Sequence, residues 1–213
     1  MKVVKLTPEN GHTFVVEAAN VLRAGGVVLY PTDTLYGLGS DALSDEAVAK
    51  IYAIKRREKW KPIHAIVSDL EMAGRYAELT DDVRSFAKQL PKGQVTFILK
   101  KRPGFNNGIL NGLDTFGFRI PDNELCIALT RAFDGPVTST SANVSGMEAV
   151  STVEGILAQL GENARHIDLI LDAGELPTRA PSTVVDLSGA TPVILREGAI
   201  PNAEIWNVIR PEV

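Results

Sequence analysis

Val27-Val28-Leu29-Tyr30-Pro31-Thr32-Asp33-Thr34-Leu35-Tyr36-Gly37-Leu38-Gly39 carries a short apolar run into a proline, then hydroxyls, a carboxylate and two glycines. That is the composition of a buried strand whose end opens into a ligand cradle, and open α/β sheets place their ligands at strand ends of this kind. A hydrogen-bonded turn with no ligand accounts for the same residues equally well, because Thr and Asp close such turns and Gly37 and Gly39 permit them. The pattern returns about a hundred residues later, where Gly135-Pro136-Val137 leads into Thr138-Ser139-Thr140-Ser141-Ala142-Asn143-Val144-Ser145-Gly146. Two such islands in a chain of 213 residues point to one shared site.

The surroundings read as an ordinary globule, 45% hydrophobic and 23% charged. No apolar stretch approaches the roughly 18 residues of a membrane span, and the N-terminus lacks a signal peptide's apolar core. The expectation is a cytoplasmic protein with no membrane partner. A lone Cys126 within Leu125-Cys126-Ile127-Ala128-Leu129 excludes an internal disulfide and suits a buried, inert thiol. His12, His64 and His166 have no zinc-site spacing, so no metal is expected on protein side chains.

Net charge is −4, which gives no global attraction to nucleic acid. Local charge differs: Lys55-Arg56-Arg57-Glu58-Lys59-Trp60-Lys61 holds five cations in seven residues, enough to meet a polyphosphate or an RNA backbone. The same cluster also suits a helix C-terminus, whose dipole favours cations.

Periodicity predicts a helix over Thr13 to Ala24 ended by Gly25-Gly26, a strand from Val27, and a helix capped by Ser44 that runs to the cationic cluster. Strands follow at Ile63 to Val67, Val95 to Leu99, Phe116 to Ile120, Val137 to Thr140, Ile167 to Leu171, Thr183 to Leu187 and Val193 to Leu195. Helices are expected at Asp69 to Leu79, Thr80 to Leu90, Asn123 to Phe133 and Thr152 to Leu160, with Arg102 to Thr115 loose. Strands outnumber clean βα alternations. The expected fold is therefore a single α/β domain over residues 1–213, with a twisted, mixed parallel and antiparallel sheet flanked by helices.

The first island is neither a Walker loop nor a dinucleotide fingerprint, since no Gly-Lys-Ser/Thr or Gly-x-Gly-x-x-Gly is present there. The second offers hydroxyls and backbone N–H groups suited to an anion, or simply a helix cap. Arg119, in Phe118-Arg119-Ile120-Pro121, sits at the end of an apolar strand, where a bidentate grip on a carboxylate offsets the cost of burying a guanidinium. Ser182-Thr183-Val184-Val185-Asp186 and Leu195-Arg196-Glu197-Gly198 are two further polar islands, each individually compatible with a structural role. No nucleophile elbow or triad spacing is present.

In combination, the islands at 31, 119, 182 and 195, with Lys-x-Arg at 55, Gly-Leu-Asp-Thr at 112 and Ser-x-Asn at 141, resemble the YrdC/TsaC family, the threonylcarbamoyl-AMP synthases. The resemblance spans nearly the whole chain, and the ordered set is more specific than any one piece. It implies a YrdC-like domain with a large concave, cationic cleft. It also implies an enzyme, a nucleotidyltransferase, that condenses L-threonine, bicarbonate or carbon dioxide, and ATP into threonylcarbamoyl-AMP with release of pyrophosphate. Magnesium would ride on the ATP phosphates.

The implied catalytic tetrad is Lys55, Arg57, Ser141 and Asn143. ATP would meet Lys55, Lys59, Thr115, Ser141, Ala149 and Arg196, with Arg57 on the phosphates; threonine would meet Thr32, His64, Arg119, Ser139 and Ser182. The adenylate would feed a downstream tRNA threonylcarbamoyl transferase complex, and contact with tRNA or double-stranded RNA is a further expectation. The chain departs from the family pattern at Glu58, Ile66 and Glu148, where Pro, His and Pro are frequent. His64, two residues before Ile66, lies on the same strand face and is the candidate substitute. The rival readings are a paralogue of the same fold with another acceptor, and a structured-RNA binding module that uses the cleft and Trp60 without chemistry.

Overall fold

The computed structural model describes residues 1–7, 10–58, 61–177 and 179–209, with the side chain of His12 left out. The chain begins with strand β1 (Lys2–Lys5) and helix α1 (Gly11–Arg23), then the hairpin β2 (Val28–Pro31) and β3 (Tyr36–Gly39). Helix α2 (Asp45–Lys55), strand β4 (His64–Ile66), the single turn α3 (Leu70–Ala73) and helix α4 (Asp81–Gln89) follow. Next come β5 (Val95–Lys100), β6 (Thr115–Arg119), α5 (Glu124–Phe133), β7 (Val137–Ser141) and α6 (Val153–Leu160). The chain closes with β8 (Leu169–Asp172), β9 (Thr183–Asp186), β10 (Val193–Arg196) and α7 (Asn202–Ile209).

The strands form one ten-stranded sheet in the order β1-β8-β2-β3-β7-β4-β6-β5-β9-β10. β1 and β2 flank β8 in parallel, β4 runs parallel to β6 and β5 to β9, and the other neighbours are antiparallel. The mixed sheet is thus as expected, and the two polar islands are neighbours within it: Gly37 pairs with Ser141 and Leu38 with Thr140.

Local chemistry sets most of the element boundaries. The Ser44 side chain accepts from the Ala47 amide, Thr80 from Val83, Asn123 from Cys126 and Thr152 from Gly155, each cap worth about 1 kcal/mol. α2 stops where Arg56 turns left-handed at φ 49°. The expected helix over Asp69 to Leu79 is shorter, because after Gly74 the chain leaves the helix to bridge Ala77 to Lys101 and to send the Glu78 amide to the Lys100 carbonyl.

Tyr36–Gly39 differs from the flexible turn its glycines suggest and is a fully buried strand. Here glycine supplies room. A Cβ on Gly39 would lie 2.7 Å from Cε1 of Tyr30 and 2.9 Å from Cγ1 of Val137, so the bare strand lets the Tyr30 ring pack across it. β1 and α7 add elements beyond those expected. Within the loose stretch, a 3₁₀ turn at Gly108–Leu110 plugs Ile109 and Leu110 into the core.

The two faces of the sheet are covered differently. On one face Phe97, Leu99, Phe116, Phe118, Ala65 and Leu38 pack with α2 and α6 in the main core, where the Phe116 and Phe118 rings stack at 5.6 Å. On the other, α1 and α5 pack Ala18, Leu22, Cys126 and Leu129 over Val28, Tyr30, Ile66, Val137 and Leu169. Each such buried aliphatic side chain contributes roughly 2 kcal/mol. Farther along that second face, β5 and β6 turn Thr96, Ile98, Thr115, Gly117 and Arg119 into an open hollow.

Candidate active site

The hollow follows from strand alternation. Phe116 and Phe118 of β6 go to the core, so Thr115, Gly117 and Arg119 line the opposite side. At about 3.3 Å per residue, Thr115 and Arg119 are roughly 13 Å apart along that strand. β4 adds His64, β7 adds Ser139 and Ser141, the β2–β3 turn adds Thr32 and Thr34, and Ser182 and Arg196 close the wall near β9 and β10. The cavity has a volume of about 390 Å³, within the range of small-molecule sites. Arg57, Arg119 and Arg196 all line it.

Nine of the thirteen expected residues therefore meet at one cavity: Thr32, Arg57, His64, Thr115, Arg119, Ser139, Ser141, Ser182 and Arg196. Lys59 and Trp60 lie outside the described residues. Lys55, Asn143 and Ala149 are not among the lining residues. Ala149 is half-buried in the loop after Gly146.

Lys55 has a different place from the phosphate contact that the resemblance implies. It is 1% exposed, and its Nζ donates to the Ser141 carbonyl, to the Asn143 carbonyl at 2.8 Å and to Asn143 Oδ1 at 3.3 Å. The physical reason is supply of acceptors: α2 ends against the loop after β7, whose carbonyls point at the ammonium, and the Ser145 amide donates back to the Lys55 carbonyl at 2.8 Å. Ser141 Oγ donates to Asn143 Oδ1, and Asn143 Nδ2 donates to the carbonyls of Val144 and Met147. Lys55, Ser141 and Asn143 thus form one network that shapes the loop, while Ser141 and, bonded separately, Arg57 line the cavity. Burial first, and the Arg57 cation second, push the Lys55 pKa down to about 7, while its three oxygen partners favour the charged form.

Arg119 is held as firmly, by another device. Its Nη1 donates to both Asp33 oxygens at 2.8 and 3.0 Å and to the Gly93 carbonyl at 3.0 Å. Arg57 donates from Nε to the Lys61 carbonyl and from Nη2 to the Pro62 carbonyl, and Arg196 donates from Nη2 to the Ser182 carbonyl. Backbone oxygens thus orient two guanidiniums without neutralising them. Thr32 Oγ1 donates to the Leu35 carbonyl at 2.6 Å and accepts from the Thr34 and Leu35 amides, so its hydroxyl serves the turn while lining the cavity. Ser182 shares a 2.8 Å bond with Thr96.

His64 stands among these cations. Burial, then Arg119, Arg196 and Arg57, hold its pKa down to about 3, so the imidazole is neutral throughout the physiological range. Ile66 is buried against α5 and takes no part in the cavity. Cys126 lies on the buried face of α5, and burial pushes its thiol far above the ordinary range.

The site also contains residues outside the sequence expectations: Asp33 and Gly93, which grip Arg119, and Ile98, Ile109 and Leu113, which give one wall an apolar lining. Asp33 stands in the quoted motif, and the strand-end position of Arg119 was the signal that a carboxylate partner was needed. Gly93 gave no signal. Among the described residues no cluster of three His, Cys, Asp or Glu could hold a metal ion, and no helix is long and apolar enough to cross a membrane.

Comparison with known proteins places this geometry. The Sua5/YciO/YrdC family profile, described as telomere recombination, matches residues 20–198. A protein of Methanocaldococcus jannaschii is 33% identical over 94% of this chain and 93% of its own length. The threonylcarbamoyl-AMP synthase of Bacillus subtilis is 34% identical over 92% of this chain, which spans 57% of that enzyme. The crystal structure of Pyrococcus abyssi Sua5 complexed with L-threonine superposes with a TM-score of 0.87 at 31% identity, covering 98% of this chain and 61% of that one.

Proposed function

The chain belongs to the Sua5/YciO/YrdC family, and on that premise we propose that it is an L-threonylcarbamoyladenylate synthase. It joins threonine, bicarbonate or carbon dioxide, and ATP, and releases pyrophosphate. The observation that carries this reading is the convergence of Arg57, Arg119 and Arg196 on one cavity that Thr32, Thr115, Ser139, Ser141 and Ser182 line with hydroxyls, while the neighbouring Asp33 is paired with Arg119. Such a site binds anions. It offers an amino-acid carboxylate and a polyphosphate separate cations on one cavity, Arg119 and Arg57.

The chemistry asks little covalent work of the protein. The threonine amine captures carbon dioxide as a carbamate, whose oxygen attacks the α-phosphorus of ATP, and pyrophosphate leaves. The chain must hold two anions in line and absorb the charge that builds on the phosphoryl oxygens. Arg119 takes the threonine carboxylate, while Ser139, Ser182 and neutral His64 supply hydrogen bonds along the middle of the cavity. Arg57, Ser141 and Thr115 face the nucleotide, and Lys55 acts through the loop it holds. Magnesium, which supplies charge neutralisation when bound, would be held by the phosphates and water, since Asp33 is committed to Arg119. Threonine over valine follows from pairing the hydroxyl, whereas serine differs by one methyl, worth about 1–3 kcal/mol.

A product of this kind serves a transferase that modifies tRNA, and that complex is the proposed partner. The test is pyrophosphate release by the purified chain supplied with ATP, bicarbonate and single amino acids. Release is expected to require threonine and bicarbonate together and to collapse in Arg119→Ala. Equal release without threonine would end the assignment.

A further inference from the structure

Arg119 does not meet the cavity as a free guanidinium. Its side chain is 4% exposed and that of its partner Asp33 5% exposed. Both Asp33 oxygens take the same nitrogen, Nη1, which also donates to the Gly93 carbonyl. The Asp122 amide donates to Asp33 Oδ2 at 3.2 Å, and the Gly93 amide donates to the Ile120 carbonyl at 2.8 Å. Three turns, those after β2, before β5 and after β6, are thereby pinned to one guanidinium.

The pin has a steric requirement. Gly93 adopts φ +75°, and a Cβ there would lie 1.9 Å from Asp33 Oδ2 and 2.9 Å from the Asp122 amide nitrogen. No other residue fits between the carboxylate and that turn without moving one of them. Among the described residues every side-chain hydrogen bond of Arg119 runs through Nη1, and Nε and Nη2 are not among the buried unpartnered atoms. The remaining edge of the fork, Nε and Nη2, is the edge that a carboxylate engages with two parallel bonds.

We propose that Asp33 is the positioning residue for amino-acid recognition, and that with Gly93 it locks Arg119 so that only the Nε–Nη2 edge is offered to the substrate carboxylate. The inference rests on the synthase reading above and adds to it which groups fix the carboxylate dock. Asp33 touches no substrate. It removes Nη1 from competition and holds the fork in one orientation, and looseness of about 1 Å in such a dock can cost on the order of a hundredfold.

The experiment measures KM for threonine, KM for ATP and kcat in the full chain, for wild type, Asp33→Asn and Gly93→Ala, with direct threonine binding by calorimetry. Asp33→Asn keeps the shape and one acceptor oxygen, and Gly93→Ala substitutes no lining residue while displacing the carboxylate that holds Arg119. Both are expected to raise KM and Kd for threonine about ten- to a hundredfold, with KM for ATP and kcat at saturating threonine within about threefold. A general structural defect would move the ATP and threonine constants together, and that result would overturn the inference. So would threonine constants unchanged in both variants, or tightened threonine binding in Asp33→Asn, which would make Asp33 a competitor of the substrate. Failure of the wild-type chain to bind threonine at all would overturn the synthase reading and this inference with it; wild-type binding that the variants leave intact overturns the inference alone.

Discussion

Lys55 and Arg119 are both nearly fully buried beside the same cavity, Lys55 among carbonyl and amide oxygens and Arg119 against a carboxylate. Arg119 has a counter-ion, so its positive charge is cancelled nearby and what remains is a rigid, directional fork. Lys55 has none. Its pKa falls to about 7, and its three bonds hold the loop that presents Ser141. Arg119 is thus held for direction and Lys55 for the shape of a loop, which fits the proposed placement of an amino-acid carboxylate at Arg119 and a polyphosphate near Arg57 and Ser141.

The sharpest way to break this contrast is to remove each cation. Lys55→Ala leaves the carbonyls of Ser141 and Asn143 without their buried donor and opens a void under the loop. It should cost about 2–5 kcal/mol of stability by denaturant unfolding and about a hundredfold or more in kcat. Arg119→Ala strands Asp33 as a buried charge, with about 3–5 kcal/mol lost, yet its kinetic effect should fall on threonine, with ATP affinity kept. Loss of ATP affinity in Arg119→Ala and not in Lys55→Ala would reverse the two ends.

A smaller effect tests Lys55 by pH. The folded Lys55 pKa lies below its ordinary 10.5, so between 10.5 and about 7 the unfolded chain binds a proton that the folded chain does not. The contribution is therefore present above 10.5 and is lost as pH falls towards 7. Denaturant unfolding should show the stability difference between wild type and Lys55→Met turning in favour of wild type as pH rises through that window. A constant difference would mean that the carbonyl cage restores the ordinary pKa.

The smallest expected effect concerns His64. With its pKa held from 6.5 down to about 3, its imidazole proton resonances should stay flat as pH falls through 6.5, while the stability its neutral form carries, fully present above 6.5, is lost progressively as pH falls from 6.5 towards 3. An inflection near 6.5 would show that the three guanidiniums do not act on it together.

Much of this site could be read from the residues because alternation and strand ends are local signals. Arg119 at the end of an apolar strand, Ser141 at the end of β7 with Asn143 just beyond it, and the Ser44 cap of α2 follow from short-range pattern, and the likeness of the two polar islands pointed to the site they share. What could not be read is long-range or concerns direction. Asp33 meets Arg119 across 86 residues and Gly93 meets it across 26. The inward turn of Lys55 depends on a loop more than 80 residues away, where a cationic run suggested an outward-facing grip. The glycines of Tyr36–Gly39 resembled those of a loop because the sequence does not show the Tyr30 ring that fills their space.

The central claim, that one hollow holds threonine beside ATP for condensation, is tested most directly by mass spectrometry of the product formed from ATP, threonine and carbon-13 bicarbonate. The account predicts a threonylcarbamoyl-adenylate carrying the label, formed in step with pyrophosphate and absent when threonine is omitted. Pyrophosphate released without a labelled adenylate, or an unlabelled adenylate, would contradict it.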